Sequence, residues 1–421
     1  NSMTDIQKEN KSGGKVPNRG GSVNFPRLRF PEFEGEWESK PLREVVKINQ
    51  GLQIAISERS TENKTGSYFY ITNEFLKAGS GKKYYILNPP QSVICNEKDI
   101  LMTRTGNTGQ VVTNVSGAFH NNFFKVAYPE YIDKIFLYNF LKLNKTQNQI
   151  LQFAGTSTIP DLNHSDFYRI VISFPSNIEQ EKISSFLSMI DERIQAQSKI
   201  LIHLKSLIES LNDSLSKQKI RINSNFENWK KVRLGDLGYT FNGLSGKTKE
   251  DFGNGKRYIQ YKQIFDSSKI VIENCGYVNV SENENQNSVK YGDIFFTISS
   301  ETPDEIGMSS VLLEDVKNVY LNSFCFGFRL NSFKELLPEF ARFLFRSKVV
   351  RNEIKKLAQG STRYNMSKTE LLKLEILLPS IKEQKEISAF LSSLYQKIQT
   401  EKAILEQLEM QKKYLLQQMF V

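Results

Sequence analysis

One segment of the chain is written twice, and this duplication constrains the fold more than any other feature. Residues 175–187 read PSNIEQEKISSFL and return at residues 379–391 as PSIKEQKEISAFL. The offset of 204 residues then holds without a gap as far as Leu215 and Met419. Because the copies lie about half a chain apart, the sequence predicts a module used twice and not a solenoid of short repeats.

Both copies have the spacing of a long helix that packs against another helix. Apolar residues step alternately by four and three, which is the a/d pattern of a coiled coil. The seam comprises Ile183, Leu187, Ile190, Ile194, Gln197, Leu201 and Leu204 in the first copy and Ile387, Leu391, Leu394, Ile398, Glu401, Leu405 and Leu408 in the second. At 1.5 Å per residue, each helix would be a rod of roughly 50 Å.

The predicted helices have marked beginnings and a polar residue near their middles. Ser176 with Glu179, and Ser380 with Glu383, have the spacing of a capping box, in which hydroxyl and carboxylate each satisfy a free backbone N–H. Gln197 and Glu401 interrupt the two seams at equivalent positions. In an antiparallel pair they would lie close together, and we expect them to fix the register.

Size and composition limit the classes of protein to consider. A chain of 421 residues is too long for one core, so two or more domains are expected. The mean hydropathy of −0.42 and the lack of an apolar run of ~18 residues predict no membrane span. No signal pattern opens the chain, which makes a cytoplasmic location the expectation.

Charge points toward a partner, and the metal-binding residue types are few. The net charge of +10 and the pI near 9.2 favour an acidic partner, of which nucleic acid is the commonest. Three scattered cysteines and three histidines form no disulfide framework and no cluster with metal-ligand spacing. We therefore predict no bound metal.

A weaker repeat divides the chain into α+β domains. Trp37, Leu42 and Gly51 recur 192 residues later as Trp229, Leu234 and Gly243. Short β-type runs separated by turn residues follow in both copies, and a helical stretch closes each domain. The predicted strands are Tyr68–Thr72, Tyr84–Leu87, Asp99–Thr103, Val111–Val115, Phe123–Ala127 and Arg169–Phe174, then Tyr258–Tyr261, Lys269–Glu273, Asp293–Ile298, Ser310–Leu313, Phe324–Leu330 and Leu374–Leu378.

The predicted organisation is two similar globular α/β domains, each followed by a long helix, with the two helices packed on each other as a coiled coil. The closing helical stretches are Ile135–Phe153 and Leu336–Leu357. The predicted boundaries are a disordered tail at 1–21, a first domain at 22–175, a first spacer helix at 176–221, a second domain at 222–379 and a second spacer helix at 380–421.

A search for catalytic motifs finds none that is complete. Asn88-Pro-Pro-Gln91 lacks the final aromatic of the amino-methyltransferase motif, and Gly246-Lys-Thr248 lacks the upstream glycine of a phosphate loop. No nucleophile is accompanied by a base at a suitable spacing. The sequence thus predicts a protein without a catalytic site.

Polar loops occupy matching positions in the two domains but differ in their residues. In the loop from Thr103 to Gly109, Arg104 suits guanine and Asn107 suits adenine, while threonine hydroxyls suit phosphates. The matching stretch, Thr297–Thr302, lacks the arginine but has Glu301, which suits cytosine. For one such loop alone, an ordinary hairpin turn is the favoured interpretation. Polar loops at matching positions in both copies make recognition and an ordinary turn equally favoured.

The candidate DNA-binding residues share a place in these loops. They are Gln53, Asn73, Arg104, Thr105, Asn107, Thr108, Asn121, Asn122, Thr156, Ser157 and Thr158 in the first domain and Asn242, Ser245, Lys247, Lys262, Gln263, Ser299, Ser300, Glu301, Asn322, Arg363, Tyr364 and Asn365 in the second.

From about Phe25 onward, the chain resembles the specificity subunit of type I restriction–modification enzymes. The resemblance is carried by the leader Leu28-Arg-Phe-Pro-Glu-Phe33, the duplicated Pro-Ser-x-x-Glu-Gln-x-x-Ile-x-x-Phe-Leu segment and the segment Asp99–Gly109. The Gly-led Ser/Thr loop before each long helix fits as well. The second copy departs from the pattern at Thr297–Thr302, where the arginine and both glycines are missing.

The resemblance implies a DNA-binding subunit without catalytic activity. Each of two target recognition domains would read one half of an asymmetric, bipartite sequence in double-stranded DNA. The domains would be separated by two long antiparallel coiled-coil helices, a pseudo-twofold duplication, and these helices would set the unread spacer. Two methyltransferase subunits would carry S-adenosylmethionine, and two motor–nuclease subunits would use ATP and Mg²⁺, so this chain would bind no cofactor directly. The alternative is a coiled-coil scaffold whose globular ends bind protein or glycan.

Overall fold

The computed structural model describes residues 24–77, 81–155, 158–222, 228–360 and 363–421. The predicted tail, residues 1–21, lies outside these ranges. The chain divides into two compact units, Asn1–Gln195 with Glu406–Val421 (unit 1) and Ala196–Leu405 (unit 2). Each unit holds one globular domain together with part of each of two long helices.

The two long helices have nearly the predicted bounds. The first long helix is Asn177–Ser216 and the second is Ile381–Met419. Both follow directly on the Pro-Ser pair that opens each repeated segment. Two long helices thus lie within the predicted segments 176–221 and 380–421, whose first and last residues are outside the helices.

The seam residues pack helix against helix, antiparallel in each unit. In unit 1, Ile183 and Leu187 share a core with Leu415 and Met419. In unit 2, Leu201 and Ile208 pack with Ile398, and Leu204, Leu394 and Leu405 lie partly buried beside them. Within each unit the two helices therefore run antiparallel, and they pack through the residues of the heptad seam.

The polar residues that interrupt the seams meet in unit 2. Gln197 Nε2 donates to the backbone oxygen of Glu401 at 2.9 Å and to its carboxylate at 2.5 Å. Lys397 also binds this carboxylate, and the two contacts lower the pKa of Glu401. The predicted proximity is confirmed, and a role in fixing the register stays a prediction.

The reciprocal capping boxes predicted for both helices are wrong. The Glu179 carboxylate receives two hydrogen bonds from Arg29, at 2.7 and 2.8 Å, and the Glu383 carboxylate receives two from Arg221, at 3.0 and 2.7 Å. Ser380 does accept from the Glu383 N–H, at 3.4 Å. Bidentate bonds to a cation are stronger than a bond to one backbone N–H, so the arginines take the carboxylates.

A buried glutamine ties each long helix to its domain through the same three bonds. Gln384 donates to the carbonyl oxygens of Pro379 and Glu335 and accepts from the Leu337 N–H at 2.9 Å. Gln180 makes the equivalent bonds in unit 1, to Pro175, Tyr131 and Asp133. Both glutamines are fully buried.

Replacing Gln384 with alanine is expected to destabilise unit 2 by about 3 kcal/mol, because three buried backbone groups lose their partner. Calorimetric unfolding of the purified protein measures the change. Lys385→Ala, at the exposed neighbouring position, is the control and should change stability by no more than about 0.5 kcal/mol. Equal effects of the two variants would contradict the assignment.

The globular domain of unit 1 contains two four-stranded sheets and a two-stranded ribbon. In spatial order, the first sheet is Lys47–Gln50, Phe123–Ala127, Ile100–Thr103 and Val111–Val112, and the second is Tyr84–Leu87, Ser67–Ile71, Gly117–Phe119 and Ile94–Cys95. The ribbon pairs Glu38–Pro41 antiparallel with Val171–Phe174. The α-helices are Leu42–Val45, Lys134–Lys142, Asn144–Ala154 and His164–Phe167, and the 3-10 turns are Ile56–Glu58, Asn73–Leu76 and Gln91–Val93.

Unit 2 repeats this plan and adds a small sheet. Its four-stranded sheet is Gly238–Asn242, Cys325–Leu330, Ile294–Thr297 and Ser309–Val311, and its three-stranded sheets are Gly276–Val278, Phe252–Ile259 and Tyr320–Leu321, then Ser299–Ser300, Tyr364–Met366 and Ala358–Gln359. The ribbon pairs Lys230–Arg233 with Glu375–Leu378. The α-helices are Leu234–Leu237, Tyr261–Asp266, Pro338–Leu344, Lys348–Lys356 and Lys368–Lys373, and the 3-10 turns are Lys249–Asp251, Ile272–Asn274 and Pro303–Glu305.

Three of the predicted elements differ in the structure. The strand predicted at Lys269–Glu273 is wrong: a 3-10 turn begins at Ile272, and the pairing strand is Gly276–Val278. Each closing helical stretch is two helices, broken at Leu143 and before Lys348. Leu143 is extended, and Ser347 leaves the helical conformation to cap the next helix through its hydroxyl, as N-cap residues do.

Candidate nucleic-acid interface

In unit 1, the hairpin between Ile100–Thr103 and Val111–Val112 carries the loop singled out from the sequence. The two ends of the loop are joined by a hydrogen bond, in which the Thr103 hydroxyl accepts from the Gln110 N–H at 2.9 Å. Gly106 has a positive φ of 86°, and a Cβ there would lie 2.2 Å from Asn73 Nδ2. Glycine suits this left-handed conformation, and a side chain there would displace the Asn73 amide.

Arg104 joins this hairpin to two other loops through its backbone. Its N–H donates to the carbonyl oxygen of Asn122 at 2.8 Å, and its carbonyl accepts from the Leu162 N–H at 2.9 Å. Asn73 Nδ2 donates to the next carbonyl, that of Thr105, at 3.2 Å. Segments far apart in sequence therefore meet at one edge of the domain.

The Arg104 side chain is held by an aspartate that the sequence analysis missed. Nε and Nη2 donate to the two carboxylate oxygens of Asp161 at 2.9 and 2.6 Å, and this contact raises the pKa of Arg104. Nη1 has no protein partner in the part of the chain that the structure describes. The side chain is 30% exposed. The guanidinium is thus oriented with one nitrogen free to bind a ligand.

A second hydrogen-bonded network supports the same edge. Asn121 Nδ2 donates to Gln53 Oε1 at 2.8 Å, and Gln50 Oε1 lies 2.7 Å from His164 Nε2. Burial lowers the pKa of His164, which favours the neutral ring. Among the described residues, the buried Asn73 Oδ1 and Asn121 Oδ1 have no hydrogen-bond partner. These oxygens are unsatisfied acceptors at the edge.

The remaining candidates of unit 1 differ in exposure. Gln53, Asn107 and Thr158 are exposed, whereas Asn73, Thr105, Thr108, Asn121 and Asn122 are half-buried. The Thr108 hydroxyl donates to the Pro160 carbonyl at 2.6 Å, so this side chain joins two loops. Thr156 and Ser157 lie outside the described residues.

Unit 2 forms a groove of about 390 Å³ at the corresponding edge. Its lining includes four predicted residues, Ser299, Ser300, Glu301 and Arg363, together with Tyr261, Phe265, Glu305 and Phe324. Tyr261 and Phe265 stack with ring centroids 6.0 Å apart, and the Tyr261 hydroxyl donates to the Ser299 carbonyl at 3.0 Å. Hydroxyls of Ser300 and Thr302 hold the Glu305 carboxylate. The groove offers charged groups of both signs beside aromatic faces.

The strand pairing of unit 2 places the other loop residues. Ser299 and Ser300 pair with Asn365 and Tyr364, so the Gly-led loop lies against the hairpin loop. Arg363 and Asn365 are exposed. Phe324 is 62% exposed, and its N–H donates to Asn322 Oδ1 at 2.8 Å.

Several candidates of unit 2 have partners within the protein. Lys247 is 7% exposed and bound to Glu284 at 2.6 Å, a contact that lowers the pKa of Glu284 to about 2. The side-chain amide of Gln263 donates to the Val271 carbonyl and accepts from the Val271 N–H. Lys262 is exposed beside Asp266. The further partners are Lys368 for Asn242 and Gln286 for Ser245. For these residues, DNA contact stays a prediction.

The two edges share one backbone design and differ in side chains. Ile298 makes the bonds that Arg104 makes: its N–H donates to the Phe324 carbonyl at 3.1 Å, and its carbonyl accepts from the Met366 N–H at 2.9 Å. By the same correspondence, Asn365 stands where unit 1 has Asp161. Unit 1 therefore presents an arginine–aspartate pair, and unit 2 an isoleucine and an asparagine.

The sequence analysis missed the partners Asp161 and Glu305 and the aromatic Tyr261 and Phe324. No motif marks the two acids, since each becomes relevant only through a contact across the fold. Phe324 could have been predicted from the sequence, because it directly follows the matched polar stretch Asn322-Ser323.

Neither a metal site nor a membrane-spanning helix is found among the residues that the structure describes. No group of His, Cys, Asp and Glu there has a geometry suited to a metal ion. No helix there is long and apolar enough to cross a membrane. The fold and the two edges define a protein that displays one recognition surface per unit on a shared backbone design.

Comparison with known proteins gives the family. The sequence model of the type I restriction modification DNA specificity domain matches residues 34–206 and again residues 226–410. The chain therefore belongs to the family of type I restriction–modification specificity subunits, with two target recognition domains.

Relatives and solved structures agree along most of the chain. The specificity subunit of the type I restriction enzyme MjaVIII from Methanocaldococcus jannaschii is 25% identical over 406 residues, 92% of each chain. The EcoKI specificity subunit from Escherichia coli is 23% identical over 62% of this chain and 58% of its own. The crystal structure of an S subunit from M. genitalium superposes with a TM-score of 0.55 at 17% identity, over 94% of this chain and 99% of that one.

Proposed function

We propose that each target recognition domain reads one half of a bipartite, asymmetric sequence in double-stranded DNA. The observation that carries the proposal is the recognition edge built twice on the same backbone bonds with different side chains. Arginine bonds guanine through O6 and N7, whereas isoleucine and an exposed phenylalanine offer apolar contact, for example to a thymine methyl group. The two half-sites are therefore expected to differ.

The long helices would set the length of the unread spacer between the half-sites. They are 40 and 39 residues long and pack antiparallel in each unit. A rod with regular helical rise holds two half-sites at a set separation.

The chain would act within an assembly that supplies the catalysis. Two methyltransferase subunits would bind S-adenosylmethionine, and two motor–nuclease subunits would use ATP and Mg²⁺. This chain would select the sequence and position the partner's methyltransferase site, which must extract its adenine from the duplex.

Replacing Arg104 with alanine tests the assignment of the half-sites. Selection of bound duplexes from a random pool by the assembled complex should return a gapped, two-part motif. Arg104→Ala should relax only one half of that motif and weaken binding by about 1–3 kcal/mol. Lys98→Ala, an exposed change before the same strand, is the control and should leave the motif intact. A change in both halves, or in neither, would refute the assignment.

A further inference from the structure

A cleft of about 510 Å³ in unit 2 is lined by cationic side chains that the recognition edge does not use. It lies where the two long helices meet helices Pro338–Leu344 and Lys348–Lys356. Its cationic residues are Lys205, Arg342, Arg346, Lys348 and Arg351, and its carboxylates are Glu209 and Asp266. The Asp266 carboxylate is already paired, with Lys262 at 2.7 Å.

Two of the arginines, Arg346 and Arg351, form no ion pair with a carboxylate in the described part of the chain. Arg346 donates to the carbonyl oxygens of Ser309, Ile264, Phe265 and Ser267, at 2.6 to 3.0 Å. Arg351 donates to those of Gly307, Asp304 and Ile306, at 2.6 to 3.0 Å. Burial lowers the pKa of each to about 10, so both remain cations at neutral pH. Carbonyl oxygens satisfy the N–H groups, and Asp266 and Asp304 offset the two charges only in part, without forming an ion pair with them.

The third arginine has free donors that face the cleft. Arg342 Nε donates to Ser268 Oγ at 2.8 Å, and the guanidinium lies 4.8 Å from the centre of the Tyr395 ring. Among the described residues, its two Nη atoms have no hydrogen-bond partner, and they are accessible to solvent. Lys205 and Lys348 are exposed at the rim and form no ion pair within the described ranges. Free donors on a positive background form a site for an anion.

The position of the cleft identifies the anion. Helix Tyr261–Asp266 contributes Tyr261 and Phe265 to the recognition groove and Asp266 to the cleft. Six helical residues span about 9 Å, and a DNA strand presents a phosphate every ~3.4 Å along the duplex axis. A duplex engaged by the groove therefore brings backbone phosphates within reach of the cleft.

We propose that this cleft binds backbone phosphates of the DNA that unit 2 reads. The inference rests on the proposed function and extends it to a contact that carries no sequence information. Of these three arginine positions, unit 1 keeps a cation at one, Lys142, because Tyr138 and Gln147 stand where unit 2 has Arg342 and Arg351. The phosphate clamp belongs to unit 2 alone.

Salt dependence of duplex binding tests the clamp. The variant Lys205→Gln/Arg342→Gln/Lys348→Gln removes three charges and keeps Arg346 and Arg351, whose bonds hold loops. The assembled complex is titrated with a fluorescent duplex carrying its selected motif, at about 50 to 200 mM KCl. The slope of log K against log salt should become shallower by about 0.9 for each lost contact, up to about 2.7, with an unchanged motif.

Two controls make the result specific to the cleft. Lys142→Gln/Lys356→Gln/Lys373→Gln removes three charges at exposed positions outside it and should keep the wild-type slope. Arg342→Lys retains the charge and should keep it as well. An unchanged slope in the cleft variant would overturn the proposal; if that variant also loses its methyltransferase subunit, the cleft binds an acidic protein segment instead. Absence of duplex binding by the wild-type complex would refute the proposed function itself.

Discussion

Inserting seven residues into both long helices is expected to lengthen the gap between the half-sites by about three base pairs. Seven residues of helix add about 10 Å, and a base pair occupies about 3.4 Å. A seven-residue insertion preserves the a/d seam, so the helices still pack through their apolar faces. Both half-sites should stay the same, and the original target should no longer be recognised.

The structure indicates where the insertions belong. Gln197 and Glu401 bind each other in unit 2. Because the helices are antiparallel, insertions directly after Gln197 and directly before Glu401 keep this contact while lengthening both helices equally. Sequencing of the methylated motif in cells that carry the altered subunit and its partners gives the gap directly. An insertion into one helix alone is the control, because it takes the two seams out of register and should abolish methylation. A gap that is unchanged after the double insertion would contradict the spacer role.

Replacing Phe420 with alanine is expected to destabilise unit 1 by about 3–5 kcal/mol. Phe420 is 7% exposed and stacks on Phe136 with ring centroids 4.8 Å apart. Its ring also meets Trp37 edge-on, at 6.4 Å. The deletion removes the last aromatic residue of the chain from the core that joins the second long helix to the domain. Calorimetric unfolding of the assembled subunit measures the loss.

The duplication supplies a matched control for that variant. Ser216 stands at the position equivalent to Phe420, at the end of the first long helix, and lines a cavity of about 650 Å³ beside Trp229. Ser216→Ala removes one hydroxyl from the wall of this existing cavity. It should change the free energy of unfolding by no more than about 0.5 kcal/mol. Equal losses in the two variants would show that the Phe420 ring contributes nothing specific.

The long helices were predictable because their information is local and repeated. A seam of apolar residues and a proline-marked beginning identify a helix without any knowledge of its surroundings, and Gln197 and Glu401 could be matched by position alone. The capping boxes were predicted wrongly because the partners of their carboxylates are distant in the sequence. Glu179 pairs with Arg29, 150 residues earlier in the chain, and no local pattern announces that partner.

The recognition edges show the same limit more sharply. Glycine and polar residues located the loops, and the structure brings Arg104, Asn73 and Asn122 to one edge. The side chain that orients Arg104 comes from Asp161, 57 residues away, and Lys247 proved to be buried against Glu284. Whether a polar side chain is free to bind DNA depends on such tertiary partners, which spacing in the sequence does not reveal.

The methylated motif of the host genome tests the central claim most directly. Single-molecule sequencing that detects modified adenine, in cells with and without this subunit, identifies the sites that depend on it. Reading by two domains at a set separation predicts one asymmetric motif of two different halves with a gap of constant length. A continuous motif, or halves separated by gaps of varying length, would contradict the account.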